Sequence, residues 1–277
     1  MKVTVLGCGG SSGVPLADGS PGGFWGVCDP ANPKNRRRRV SLLVEEGGLV
    51  EDGGLVEERG SVEEGGFAAL IDTSPDLRGQ IIDNGIARLD AVLFTHAHAD
   101  HVHGIDELRA LRFRQGAPIG AYMDADTHQI LTRRFGYAFR SSADPNSLYP
   151  PMLDDHLVEE PFQLGPWQVT PFVQNHGPET SLGYRIGPVA YSTDVKDLDE
   201  TAFEALAGVR LWVLDCLRDQ PHPTHSHTAQ SLAWIARVKP ERAILIHLNH
   251  QIDYEDLRRR CPPGVEPGYD GLTVEID

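Results

Sequence analysis

The sequence predicts an α/β sandwich, two β-sheets packed on one another and flanked by helices. Two halves of the chain each alternate short apolar, strand-like runs with helical segments. In both halves the runs end on His or Asp, so the polar residues gather where strands finish. No linker of convincing length parts the halves, and residues 1–277 read as a single domain. A functional site would then lie along the open edge between them.

The elements follow in order. Val3-Thr4-Val5-Leu6 reads as a strand, turning at once into Gly7-Cys8-Gly9-Gly10-Ser11-Ser12-Gly13. This turn is not a nucleotide loop, because the Walker lysine is missing and no Gly-x-Gly-x-x-Gly opens a helix. It is expected to be a turn between core strands or one wall of a cleft. Ser41-Leu42-Leu43-Val44 is a second strand, and it leads into an insert over 45–68 whose paired acids and glycines recur every six residues. Such a segment is costly to order, and four degenerate turns are too few for a solenoid, so it is expected to be a solvated loop or long hairpin.

Phe67-Ala68-Ala69-Leu70-Ile71-Asp72 is a buried-strand pattern ending in Asp72-Thr73-Ser74-Pro75-Asp76, where turn residues take over. A helix from Leu77 to Asn84 and the strand Ala91-Val92-Leu93-Phe94 follow. In the second half, strands are expected at Trp167–Thr170, Gly183–Arg185, Val189–Ser192, Val209–Leu214 and Ala243–Ile246. Helices are expected at Thr228–Ile235 and Tyr254–Arg260.

Composition limits the function. With 40% hydrophobic against 23% charged residues the chain can bury a sizeable core. A formal charge of −15 opposes loose binding to nucleic acid or anionic membrane, since both need a basic surface, so no stable nucleic-acid complex is expected. The opening apolar run is too short for a secretory signal, and no stretch approaches the ~18 apolar residues of a membrane span. A cytoplasmic location is the expectation, with a homodimer the default assembly. Cys8, Cys28, Cys216 and Cys261 form no Cys-x-x-Cys pair and read as buried, reduced thiols.

The chemistry concentrates in His96-Ala97-His98-Ala99-Asp100-His101, directly after a strand. His96 and His98, two residues apart in a loop, can point the same way, while Asp100 and His101 fall at the turn into a helix. Neutral imidazoles and a carboxylate suit zinc, manganese or iron(II), and a catalytic site keeps a coordination position open for water.

His-x-His-x-Asp-His after a hydrophobic strand resembles the metallo-β-lactamase superfamily, which implies a four-layer αββα sandwich. The resemblance implies two divalent metal ions, the first held by His96, His98 and His176, the second by Asp100, His101 and His247. Asp194, in Tyr191-Ser192-Thr193-Asp194, corresponds to a bridging aspartate, as in the phosphodiesterase branch. The chain is further similar to the PhnP-like group of phosphoribosyl cyclic phosphodiesterases. That likeness rests on residues 7–15, on Asn35 with Arg36-Arg37-Arg38-Arg39, and on Leu70-Ile71-Asp72-Thr73. It continues at Pro223-Thr224-His225, Ile246-His247-Leu248-Asn249-His250 and 264–271. Members of the phosphonate pathway carry an extra structural zinc on a cysteine cluster, of which only Cys28 remains here.

The implied function is metal-dependent hydrolysis of a small, cyclic or nucleotide-like phosphate. Two metals sharing a water lower its pKa and hold it in line with phosphorus. Asp100 and Asp194 serve in the catalytic set, and by the same resemblance His225 gives a proton to the leaving oxygen, in competition with His227. Arg37 and Arg39 are candidates to grip a terminal phosphate through bidentate bonds, with His227 as a further substrate contact. Only one or two of the four arginines could face a cleft from an extended segment. Asp72 and Asp215 are expected to hydrogen-bond ligating imidazoles, His222 to be a loop residue, and His103 to lie outside the ligand set. The alternatives are a tRNA 3′-end-type ribonuclease, disfavoured by the acidic segment from Met152 to Glu160, and a metal-bearing nucleotide sensor without turnover.

Overall fold

A computed structural model of the chain describes residues 1–47, 66–140 and 150–277. The strand β1 (Lys2–Gly7) is followed by β2 (Ser41–Glu46), β3 (Phe67–Ile71), α1 (Leu77–Asp83), β4 (Ala91–Leu93), α2 (Ala99–Val102), α3 (Leu108–Gln115), β5 (Ile119–Met123), α4 (Ala125–Phe135) and β6 (Leu153–Leu157). The second half contributes β7 (Phe162–Leu164), β8 (Trp167–His176), β9 (Glu179–Ile186), β10 (Val189–Ser192), α5 (Glu200–Ala205), β11 (Leu211–Asp215), α6 (Thr228–Val238), β12 (Arg242–Ile246), α7 (Tyr254–Arg260), β13 (Val265–Pro267) and β14 (Leu272–Glu275).

These strands form two sheets, ordered β14-β1-β2-β3-β4-β5-β6 and β13-β12-β11-β10-β9-β8-β7. Three apolar layers hold the sandwich together. Between the sheets lie Val5, Leu42, Ile71 and Leu93 from one side and Val169, Tyr184, Val213 and Ile244 from the other. Leu70, Val92 and Phe94 bury the outer face of the first sheet against Leu77, Leu108 and Leu131. Trp212, Leu214 and Leu245 do the same for the second sheet against Leu206, Trp234 and Leu257. The layering is therefore helix, sheet, sheet, helix, as the alternating runs predicted. The alternation of faces explains it: along β12, Ile244 and Ile246 turn inward while Ala243 and Leu245 turn to the helices.

Most of the expected segments are extended rather than displaced. The strand read at Gly183–Arg185 spans Glu179–Ile186, and that at Trp167–Thr170 runs on to His176 as a long hairpin arm, paired from Val169↔Ile186 to His176↔Glu179. The polar alternation Gln168, Thr170 and Gln174 obscures this extension in the sequence. Of the insert at 45–68, Glu45-Glu46 and Phe67-Ala68 are paired strand residues of β2 and β3, and 48–65 lie outside the described residues.

The topology aims strand ends at one edge. β3 and β4 are parallel neighbours, as are β10, β11 and β12, so their C-terminal ends finish together. Among the described residues only four non-glycine positions have positive φ, and three lie within two residues past such a strand: Asp72 (61°), Asp194 (51°) and His247 (59°). Left-handed backbone at a non-glycine residue costs energy and persists only where the surroundings impose it. Here it turns each side chain sharply off its strand into the same edge.

The two sheets are also tied beside that edge. The buried Tyr184 hydroxyl donates to the Phe94 carbonyl at 2.7 Å, and Leu182 N–H donates to Thr95 O at 2.8 Å. Replacing Tyr184 by Phe leaves the Phe94 carbonyl without its partner. The expected result in denaturant titrations is a loss of about 1–2 kcal/mol of stability with an unchanged slope.

Candidate metal centre

All seven residues expected around metal come together. His96, His98, His176 and Asp194 form one group and Asp100, His101, His247 and Asp194 a second, with the donor atoms of each within 4.8 Å of one another. Asp194 belongs to both, and its two oxygens divide between them. Oδ2 lies 3.7 Å from His96 Nε2 and 3.5 Å from His176 Nε2. Oδ1 lies 3.1 Å from both His101 Nε2 and His247 Nε2. Asp100 Oδ2 faces the second group, 3.4 Å from His101 Nε2 and 3.6 Å from His247 Nε2.

The outward nitrogens show which tautomer each ring adopts. The Asp72 carboxylate accepts from the Thr95 N–H and hydroxyl, both at 2.8 Å, and from His101 Nδ1–H at 2.7 Å. The Thr95 hydroxyl has given its one hydrogen to Asp72, so at 3.0 Å it can only accept from His96 Nδ1–H. His176 Nδ1–H donates to the Thr224 carbonyl at 2.7 Å. His98 is turned the other way: its Nε2 meets Glu179 Oε2 at 2.9 Å, and its Nδ1 lies 3.3 Å from His176 Nε2. The rings of His96, His98, His101 and His176 are thereby each left able to present a lone pair on the nitrogen that faces the shared centre.

Four inward-facing atoms have no hydrogen-bond partner. His96 Nε2, His101 Nε2, His247 Nε2 and Asp100 Oδ2 are buried without a hydrogen bond. Orphaned polar atoms of this kind are rare and costly, and four aimed at one point fit divalent cations. Electrostatics agree. Burial opposes a charge on Asp194, yet His247 and His101 outweigh it and hold the carboxyl well below its usual range. Burial likewise opposes protonation of His101, but Asp194 and Asp100 push it well above the ordinary histidine value. At His96 burial dominates, reinforced by His101, and the ring stays neutral. A site that strains to keep protons where cations would sit binds metal in exchange for them.

The neighbouring residues divide. His225 stands at the rim of the centre, Nε2 3.8 Å from Asp194 Oδ2 and Nδ1 3.3 Å from Asp215 Oδ2. Asp72 hydrogen-bonds His101 as anticipated, whereas Asp215 lies behind His247 Nδ1 at 3.6 Å without forming the hydrogen bond expected of it. The cleft beside His225 has a volume of about 210 Å³, and Gly10, Ser11, Ser12 and Gly13 form one wall, the second of the two roles expected of that turn. His222, read as an ordinary loop residue, lines the cleft as well.

The arginine expectations need correction. Arg37 is 2% exposed, and its guanidinium donates to Asn249 O at 2.8 Å and Asn35 Oδ1 at 3.0 Å. It crosslinks two buried loops and cannot reach a substrate. Arg39 lies nearer, but its fork is spent on Asp76, Nε to Oδ2 at 2.7 Å and Nη2 to Oδ1 at 2.6 Å. His227 also departs from its expected substrate contact: it precedes α6 with Nδ1 on Gln230 Oε1 at 3.1 Å, and it is not in the cleft wall. His103 is exposed and packs on Phe135, outside the ligand set. Glu179 went unread because a lone Glu at a hairpin tip carries no pattern, and only pairing with His176 brings it to His98.

Two measurements follow. Glu179→Ala should weaken metal binding about tenfold in calorimetric titration, by freeing the His98 ring. In metal-free protein Asp194 overcomes burial and raises His247 from 6.5 to about 9. That proton's stabilisation is complete below the unfolded value of 6.5 and is lost as pH rises through about 9. Melting temperatures of chelated protein should therefore fall across this window, while the metal-loaded protein, whose ring is already neutral, should not follow.

Comparison with known proteins agrees with this geometry. Residues 69–248 match the Beta-lactamase superfamily domain family. A crystal structure described as a new diphosphatase from the PhnP family is 30% identical, covers 100% of this chain and 98% of its own, and superposes with a TM-score of 0.80. The metallo-β-lactamase fold protein YhfI of Bacillus subtilis, at 19% identity, covers 99% and 98% with a TM-score of 0.69. An octanoyltransferase of Porphyromonas gingivalis is 33% identical over 281 residues, all of this chain but 52% of that protein, so the chain spans about half the length of this curated relative. The chain belongs to the metallo-β-lactamase branch of the beta-lactamase superfamily, and within it resembles the PhnP family.

Proposed function

We propose that the chain is a dinuclear metal-dependent hydrolase that cleaves a phosphodiester or diphosphate bond in a small molecule. The observation that carries this reading is the division of Asp194, one oxygen to each ligand group, with His225 poised at the rim. Two divalent cations held this way would polarise phosphoryl oxygens and activate a water.

The chain's own groups account for the rest. Asp100 is the more open of the site's two inward carboxylates, and its free oxygen can accept a hydrogen from the attacking water and aim it at phosphorus. His225 gives a proton to the departing oxygen from Nε2. Asp215, whose Oδ2 accepts from Ser226 N–H at 3.1 Å and Val195 N–H at 3.3 Å, lies behind the ring with that oxygen 3.3 Å from Nδ1. His225 takes this role rather than His227 because only His225 reaches both the cleft and Asp194.

A small substrate suits the cleft, whose 210 Å³ is below the ~300 Å³ of pockets for drug-sized ligands. The charge of −15 argues in the same direction against a polynucleotide. Likeness to a diphosphatase extends the reading from cyclic diesters to diphosphates. The acyl transfer in the Porphyromonas relative's name is not assigned to this chain, which spans about half of that protein.

The test is hydrolysis of a chromogenic phosphodiester and of a nucleoside diphosphate ester, before and after chelation and with His225→Ala. Chelation should abolish turnover, and the substitution should slow it by ~10² to 10⁴. Metal-loaded protein inert to both substrates would sink the proposal and favour a sensor.

A further inference from the structure

Behind Asp194 lies a set of buried polar side chains that the chemistry above does not use. β10 ends its pairing at Ser192, opposite Leu214, and the chain then turns through the left-handed backbone of Asp194. The carbonyls of Thr193 and Asp194 leave the ladder with that turn and need other donors. The hairpin of β8 and β9 supplies them. Gln174 and Ser181 are paired directly across it, and both are fully buried. Gln174 Nε2 donates to Thr193 O and to Ser181 Oγ, each at 3.0 Å, and Ser181 Oγ donates to Asp194 O at 2.9 Å. Thr193 completes the set: its hydroxyl, also fully buried, donates to Asp194 Oδ1 at 2.8 Å.

Such an arrangement is costly. An amide and two hydroxyls are sealed from water, and Gln174 Oε1 is left buried without a hydrogen bond. What the set holds is Asp194, its backbone through Gln174 and Ser181 and its side chain through Thr193. The last torsion of a carboxylate is broad and soft, so nothing in Asp194 itself keeps one oxygen on each ligand group. In the metal-free protein His101 and His247, each with Nε2 3.1 Å from Oδ1, can share their protons with it. Cations would displace those protons. The Thr193 hydroxyl is then the hydrogen donor that remains to Oδ1 among the described residues.

We infer that Thr193, with Gln174 and Ser181 behind it, is a positioning residue that keeps Asp194 spread across both ligand groups by tying Oδ1 to the side of Asp100, His101 and His247. The inference rests on the two-cation reading of the centre and adds the residues that hold its shared ligand. All three act through Asp194, since their full burial keeps them from the substrate.

The test is calorimetric zinc titration of the metal-free full chain, with circular dichroism to verify that each variant is folded. The wild-type protein should take up two equivalents. Thr193→Val keeps the shape of the side chain and removes its hydroxyl, and it should weaken one binding step by about tenfold or more while leaving the other unchanged. Thr193→Ser keeps the hydroxyl and should bind as the wild type does. Ser181→Ala, which frees the Asp194 carbonyl, should weaken the same step and carries the test where Thr193→Val does not fold. Unchanged affinities in the valine and alanine variants, equal weakening of both steps, or a serine variant as weak as the valine one overturns the positioning role and leaves the two-cation reading intact. Fewer than two equivalents in the wild type overturns both.

Discussion

One carboxylate organises this molecule. Asp194 is 1% exposed, sits in left-handed backbone and faces five imidazoles with its two oxygens. A buried charge so placed is tolerable only if positive charge surrounds it, whether protons on His101 and His247 or cations in their stead. The need for that compensation explains why the strand ends converge. Without it, the edge of the sandwich would hold a set of desolvated polar groups with nothing to satisfy them.

The supporting contacts act on direction rather than on energy alone. Asp72 collects three donors and, through Thr95, orders both His96 and His101. Asp215 does the equivalent in the second half, receiving two backbone N–H groups while lying behind His225 and His247. The site is thus two similar arrangements facing each other across the sandwich, each an Asp at the C-terminal end of a parallel strand backing a pair of histidines. The Tyr184 and Leu182 bonds to the His-bearing loop hold the two halves in register.

Charge distribution resolves an apparent conflict. An acidic surface repels phosphate, and the one dense basic run is spent internally: Arg37 in the core, Arg38 on Asp83 and Arg39 on Asp76. Attraction for an anion must then come from within the edge itself, from cations and the histidines around them. The remaining walls of the cleft are glycine, serine, leucine, Asn249 and histidine rings, without a lysine or arginine to grip a polyanion.

The sequence by itself determined the layering, because the period of its apolar runs dictates which faces are buried. It also revealed the cluster at 96–101, because four donors within six residues need no tertiary information to be seen together. His176, Asp194 and His247 were legible only through resemblance, since isolated residues at strand ends carry no spacing of their own. Tertiary structure alone decided the rest. It set the division of Asp194 between two groups and the outward partners of His96, His98, His101 and His176. It brought Glu179 to His98 through hairpin pairing, and it buried Arg37 where an extended segment was expected to offer it to a ligand. The reason is geometric: local sequence fixes a side chain's period along its own strand, whereas its partners depend on which strands become neighbours and how each chain turns as it leaves them.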